Sequence, residues 1–403
     1  MALLSAKDRE MLTKYKYKGI NESITEPYLI PFWNWLVQFL PTWLAPNAVT
    51  FSAFVAVAIA YIVAAFYQPE YEGEAPAWIQ PMCLFALWFF QTMDNLDGRQ
   101  ARRLKASSPL GDFFDHAVDV TCLQYSIQCV LSGMHVGPGW MIFFLTQVAY
   151  CQHFFEFWDT IHTREIYLGP VSITEAQLLL MAVHVINMVG GAAFWTQEMP
   201  TVQAVLETIF VPLLGPKPFG EHSIRLNEIT VLVVGGFEVL AGISGSLGRV
   251  YKRLNKKTIG QSSGASFSSA LVELHPLLMV VAGNLTWALY SPADVLHSHS
   301  RAFVIGAGAL GVNVAAAQIL PYITQSRPKF LNGTFVTLVF IPILANIYVA
   351  QTSGQPLFDD AVAVYAVAVF ALVHLIIFFT RITLEISGHL DIPVFTVPRP
   401  KAS

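Results

Sequence analysis

"WIQPMCLFALWFFQTMDNLDGRQARRLKASSPLGDFFDHAVD", Trp78 to Asp119, sets an apolar run against a stretch with five acids and four bases, and the run that begins at Gly111 is apolar again. The first run is as long as a helix needs to be to cross the ~30 Å hydrocarbon core of a bilayer at ~1.5 Å per residue. Its charges stand only at the mouth. The fold is therefore that of a membrane protein whose polar chemistry is gathered at helix ends.

The rest of the chain agrees. Of its 403 residues 54% are hydrophobic and 12% charged, too apolar for a set of soluble domains. Ten segments have spanning length: 47–67, 78–97, 111–133, 138–158, 172–196, 227–248, 269–290, 298–320, 330–350 and 359–380, with short polar loops between them. The expected fold is an all-α polytopic membrane protein. Ahead of the first span, "ITEPYLIPFWNWLVQFLPTWLAPN" is aromatic and interrupted by Pro27, Pro31, Pro41 and Pro46. It suits either an amphipathic segment in the membrane interface or a simple aromatic anchor.

With ten spans both termini share a side, and all of the 23 Lys and Arg residues except Lys217, Arg225 and Arg301 fall on it. Positively charged loops stay cytoplasmic, so the termini and the 94–119 stretch are expected there. The division that follows is 1–46 as N-terminus and interfacial segment, 47–196 as catalytic core, 197–380 as the remaining helices and 381–403 as a cytoplasmic tail. The "MALLS" start is followed at once by Lys7, Asp8 and Arg9, so no signal peptide is expected. Cys83, Cys122, Cys129 and Cys151 lie in apolar spans and read as small buried hydrophobes. The segregated charge, net −4, does not point to nucleic acid. The 252–269 stretch reads as a basic, then Ser/Gly-rich, cytoplasmic linker.

On helices, Asp94 and Asp97 stand at i, i+3 and Asp115 and Asp119 at i, i+4, so each pair shares a face. Two accounts are open. The acids converge as oxygen donors for hard cations such as Mg²⁺ or Mn²⁺, or Arg99, Arg102, Arg103 and Lys105 simply neutralise them at solvated helix ends. Small residues at Gly98, Ala101 and Gly111 leave room for a substrate beside the backbone, and Arg102 offers a bidentate phosphate clamp. Both favour the first account.

Written out, the stretch is Asp94-x2-Asp97-Gly98-x2-Ala101-Arg102-x8-Gly111-x3-Asp115-x3-Asp119. This resembles the signature of the CDP-alcohol phosphotransferase family. "LPTWLAPNAVT", "YLGPVSITE" and the tail "EISGHLDIPVFTV" extend the likeness to the eukaryotic choline- and ethanolaminephosphotransferases over essentially the whole chain. Asp112 stands where those relatives carry Glu.

The resemblance implies that Asp94, Asp97 and Asp115 bind metal, with Asp119 completing the shell of a second ion or acting as base. It implies that Gly98, Ala101, Arg102 and Gly111 line the CDP site, joined by Asn47, and that Glu175 lies near it. His116, inside the motif, competes with Asp119 for the role of general base. The implied reaction is transfer of phosphoethanolamine or phosphocholine from CDP-ethanolamine or CDP-choline to diacylglycerol or alkyl-acylglycerol, with two Mg²⁺ or Mn²⁺ ions. An endoplasmic reticulum or Golgi membrane and a homodimer fit the same likeness. Alternatives from other classes are a membrane prenyltransferase, which would show two separate Asp-rich motifs, and a secondary transporter, with acids near the midplane. Glu156, Asp159, His162 and Glu165 read as helix-end solvation, and Trp158 or Tyr150 as a weak candidate cage for a quaternary ammonium.

Overall fold

The computed structural model describes residues 3–214, 223–255, 266–328 and 333–397. The described residues are mostly helical: α1 (Ala6–Lys14), α2 (Glu26–Leu36), α3 (Pro46–Tyr67), α4 (Ile79–Arg103), α5 (Pro109–Gly133), α6 (Trp140–Thr163), α7 (Ile173–Trp195), α8 (Pro200–Leu214), α9 (Leu226–Phe237), α10 (Ser244–Asn255), α11 (Phe267–Val272), α12 (His275–Tyr290), α13 (Val295–Ser298), α14 (Ser300–Ala316), α15 (Ile319–Thr324), α16 (Gly333–Ser353) and α17 (Asp360–Leu390). A π-helical stretch, Glu238–Ile243, joins α9 to α10. Two short strands, β1 (Gly19–Asn21) and β2 (Ile166–Leu168), pair in parallel with Gly19 opposite Ile166.

Among the described residues the ten expected spans fall largely on helix, residues 330–332 of the ninth lying outside them. By length and composition, six stretches among the described residues are long and apolar enough to cross a membrane: Pro46–Tyr67, Ile173–Trp195, Leu226–Asn255, Ser300–Thr324, Phe335–Ser353 and Asp360–Leu390. The other four lie on α4, α5, α6 and α11–α12. The first three are less apolar because they turn polar side chains inward: Gln91, Thr92 and Gln100 from α4, Gln124 and Gln128 from α5, Gln147 and His153 from α6 are all buried. The fourth is interrupted at Glu273 and Leu274, just ahead of Pro276. Helix α8 occupies a place that the sequence reading leaves as loop, and residues 256–265 of the expected linker, like Lys217, lie outside the described residues.

Proline places two helix starts rather than breaks. Pro27 and Pro46 stand in the first turns of α2 and α3, where a missing N–H costs nothing, and Pro31 is carried inside α2. Trp33 of α2 is buried against Val37, Val49 and Leu96, while Tyr28, Trp35, Phe39 and Trp43 are exposed.

One hydrophobic core crosses the boundary drawn at residue 197. It joins Phe113, Phe154 and Trp158 to Phe303, Leu320 and Phe378. Helices α3, α4 and α5 pack together at the N-terminal end of the chain, and α14 packs on both α6 and α17. This arrangement brings the C-terminal end of α4 and the N-terminal end of α5 to one side of the bundle, beside the β1–β2 pair.

Candidate active site

The turn between α4 and α5 sets the two acid-bearing helices against each other. Ser108 caps α5 by accepting from the Gly111 N–H at 3.2 Å, with Pro109 in the first turn. Across it the carboxylates meet: Asp94 lies against Asp115 and Asp119, and Asp97 against Asp115. Thr50 of α3 donates its hydroxyl to Asp97. Asp115, His116 and Asp119 can present one ligand atom each with all three within 4.8 Å of one another. His116 thus joins a donor set that spacing along the chain assigns to carboxylates alone.

The four bases do not neutralise these acids. Arg99 donates to Asn34 Oδ1 at 3.1 Å and to the Asn95 carbonyl, with its guanidinium 5.0 Å from the Trp33 ring centre. Arg103 donates to the Val37 and Leu40 carbonyls at 3.0 and 2.7 Å. Both tie α4 to the N-terminal segment. Among the described residues no Lys or Arg forms an ion pair with any of the four carboxylates, and Asp115 Oδ1 and Asp119 Oδ1 are buried without a hydrogen-bond partner. Clustered carboxylates with orphaned oxygens need a counter-charge, and an all-oxygen set with one imidazole beside it fits a hard divalent cation.

These acids floor a cavity of about 480 Å³. Asn47, Gly98, Ala101, Arg102, Gly111 and His116 line it too. A Cβ at Gly111 would stand 3.8 Å from both Asn47 Oδ1 and Ser108 Oγ, so an added methyl is tolerated but a branched side chain takes cavity space. His116 Nδ1 is 3.9 Å from Asp119 Oδ2, and its ring packs edge-on against Phe157.

Glu175 does not line this cavity. Its Oε1 accepts from Ser23 Oγ, Thr25 N and Thr25 Oγ1, and its Oε2 from Ser172 N and Ser172 Oγ, at 2.6–2.9 Å. The residue is a clasp that holds the N-terminal arm to the start of α7. Trp158 and Tyr150 are core residues rather than a cage: both are buried, Trp158 donating to the Ala270 carbonyl at 3.2 Å and Tyr150 to Gln147. Of the acids near the end of α6 only Glu156 reaches the cavity. Asp159 pairs with Arg249, His162 with Glu273 at 2.8 Å, and Glu165 with Lys18.

Several parts of the wall were not assigned from sequence. Thr50, Glu26 of the N-terminal arm, His153 of α6 and the C-terminal stretch Ile392–Thr396 all face the acids. The i, i+3 spacing of His153 and Glu156 was the one local signal for any of them. Asn47 Nδ2 donates to the Val394 carbonyl at 2.9 Å, which seats that stretch on α3. Asp112 accepts from Tyr15, whose hydroxyl also meets that of Tyr322 at 2.6 Å. Burial, then the neighbouring Asp112 and Tyr322, push the Tyr15 phenol far above its ordinary value, so it stays a donor.

Residues 43–208, which contain the acids and most of the cavity wall, match the family model described as CDP-alcohol phosphatidyltransferase. The chain carries a CDP-alcohol phosphatidyltransferase domain. Relatives align well beyond that domain. Choline/ethanolaminephosphotransferase 2 of Arabidopsis thaliana is 27% identical over 410 residues, covering 100% of both chains. Cholinephosphotransferase 1 of Mus musculus is 28% identical over 97% of this chain and 91% of its own, and that of Homo sapiens 27% identical over 97% and 89%. The phosphatidyltransferase domain ends in α8, so the cavity wall formed by Ile392–Thr396 comes from outside it.

Proposed function

We propose that this protein transfers phosphocholine or phosphoethanolamine from the corresponding CDP-alcohol to the hydroxyl of diacylglycerol or an alkyl-acylglycerol, releasing CMP. The observation that carries this reading is the set of four facing carboxylates with two orphaned buried oxygens, in a cavity that also holds Arg102 and the small residues Gly98, Ala101 and Gly111.

Asp94, Asp97, Asp115 and Asp119 would hold two Mg²⁺ or Mn²⁺ ions. Such ions, when bound, neutralise charge on the diphosphate and on the departing CMP. Arg102 takes a phosphate oxygen, Asn47 and the glycine-lined floor accept the nucleotide, and Thr50 fixes the rotamer of Asp97. The lipid hydroxyl attacks the β-phosphorus, a new P–O bond forms, and the bond to the CMP oxygen breaks. The hydroxyl proton passes to His116, with Asp119 oriented towards its ring, or to Asp119 itself.

The membrane reading places ten spans in the bilayer, with the termini and cavity on the cytoplasmic side. The cationic residues of the 94–119 stretch support that side. A site at the membrane boundary admits a soluble nucleotide from one direction and a lipid from another, which suits an endoplasmic reticulum or Golgi membrane and is compatible with a homodimer. The acids form a single motif on the C-terminal half of α4 and the N-terminal half of α5, on either side of a basic turn, which favours this reading over a transporter or a prenyltransferase.

The test is incubation of the purified protein with radiolabelled CDP-choline or CDP-ethanolamine and diacylglycerol. Labelled phospholipid and CMP should form in equal amounts, chelation should abolish both, and added Mg²⁺ or Mn²⁺ should restore them. Asp97→Ala and Asp115→Ala should stay inactive at any metal level. Full turnover in excess chelator would sink the proposal.

A further inference from the structure

A second cavity, of about 440 Å³, lies on the other side of β2 from the acids. Successive side chains of a strand point to opposite faces, and here Ile166 and Leu168 line the catalytic cavity while Tyr167 lines the second one. Strand β2 is the partition between them.

The far wall is the Leu226–Asn255 helix, which grades from apolar to cationic along its length. At one end of the groove are Leu240, 75% exposed, and Ala241, both in the π-helical stretch, a device that recurs at functional sites. The middle is narrow in side chain: Ser244, Gly245 and Gly248, with open space where a Gly248 Cβ would stand. At the other end are Arg249 and Lys252. From Leu240 to Arg249 is roughly 13 Å at an ordinary helical rise.

Arg249 is held rigidly but not used up. Its Nε donates to the buried Asp159, its Nη2 to Ser246 Oγ at 3.0 Å, and its guanidinium carbon lies 4.5 Å from the Tyr167 ring centre. Nη1 has no acceptor among the described residues, and neither Arg249 Nη1 nor the exposed Lys252 meets another carboxylate there. A fixed guanidinium edge and an exposed ammonium at one end of a groove whose other end is apolar match an amphiphile that carries a phosphodiester.

We infer that this groove is a phospholipid site, distinct from the catalytic cavity, with the phosphodiester between Arg249 and Lys252 and an acyl chain along Leu240 and Ala241. The inference rests on the membrane reading of the Leu226–Asn255 helix and not on the transfer reaction. Because β2 also pairs with β1, a lipid seated against Tyr167 would brace the arm that carries Glu26 into the catalytic cavity.

The test uses the full chain in detergent with two photoreactive probes sharing one diazirine-bearing acyl chain, a phosphatidylglycerol and a diacylglycerol, followed by peptide mapping. The phosphatidylglycerol should label the 240–252 segment about fivefold more than the diacylglycerol. Gly248→Leu, whose Cβ would stand in open space at the groove, and Lys252→Gln should each cut that label about fivefold, while Asp97→Asn keeps it. Equal labelling by the two probes would overturn the site, as would unchanged labelling in both groove variants. If excess inorganic phosphate shields Lys252 from acylation and no lipid label appears, the site takes free phosphate and the lipid assignment is wrong.

Discussion

Removing the Glu175 side chain separates the two roles open to it. The sequence resemblance puts it near the substrate, whereas the structure makes it the acceptor of five hydrogen bonds from Ser172, Ser23 and Thr25. Hydrogen bonds to a charged group contribute roughly 1.5–3 kcal/mol each when buried, but these share two oxygens on a partly exposed residue. A total of about 2–3 kcal/mol for docking the arm is therefore expected in Glu175→Ala, a rise of about 30- to 160-fold in its opening equilibrium. Glu175→Gln keeps one accepting oxygen and should lose about half of that. Hydrogen exchange at the Glu22 and Ile24 amides, which donate to the Leu168 and Pro170 carbonyls and so keep their acceptors in the variant, reads the opening. Since Asn21 and Glu26 line the cavity from this arm, KM for the CDP-alcohol should rise with the exchange rate, and Ser23→Ala with Thr25→Val should reproduce both effects. A raised KM in Glu175→Ala with unchanged exchange at Glu22 and Ile24 would refute the clasp and make Glu175 a substrate ligand.

Three further outcomes follow from the cavity. Gly111→Ala should retain most activity, because its Cβ has 3.8 Å to Asn47 and Ser108, whereas Gly111→Val should insert normally and weaken CDP-alcohol binding by about tenfold or more in a direct binding assay. His116→Gln should lose most turnover while still binding metal and CDP-alcohol if His116 takes the proton, and near wild-type turnover would transfer that role to Asp119. Thr50→Val should leave folding intact but raise the metal concentration needed for half-maximal rate by about threefold to tenfold, since Asp97 loses the hydroxyl that orients it.

Much of the site was legible because it is local. The α4 and α5 acids are three and four residues apart, so helical periodicity alone puts each pair on one face, and the small residues between them lie within the same turn of sequence. The ten apolar segments are equally local, which is why they fall largely on helix. Hydropathy was weaker for α4, α5 and α6 because their buried Gln and His side chains lower the apolar average while facing the interior.

What the sequence by itself determined is the helical architecture and which carboxylates share a face, Asp94 with Asp97 and Asp115 with Asp119, since both rest on spacing within single helices. Tertiary structure alone decided where the charges are spent. Arg99 and Arg103 reach back about sixty residues to the N-terminal segment instead of to the neighbouring acids. Thr50 reaches Asp97 across 47 positions, Asn47 holds Val394 across 347, and Glu175 grips an arm some 150 residues upstream. A side chain's local sequence fixes the direction it leaves its helix, but its partner depends on which helices pack beside it, and that is a property of the assembled bundle.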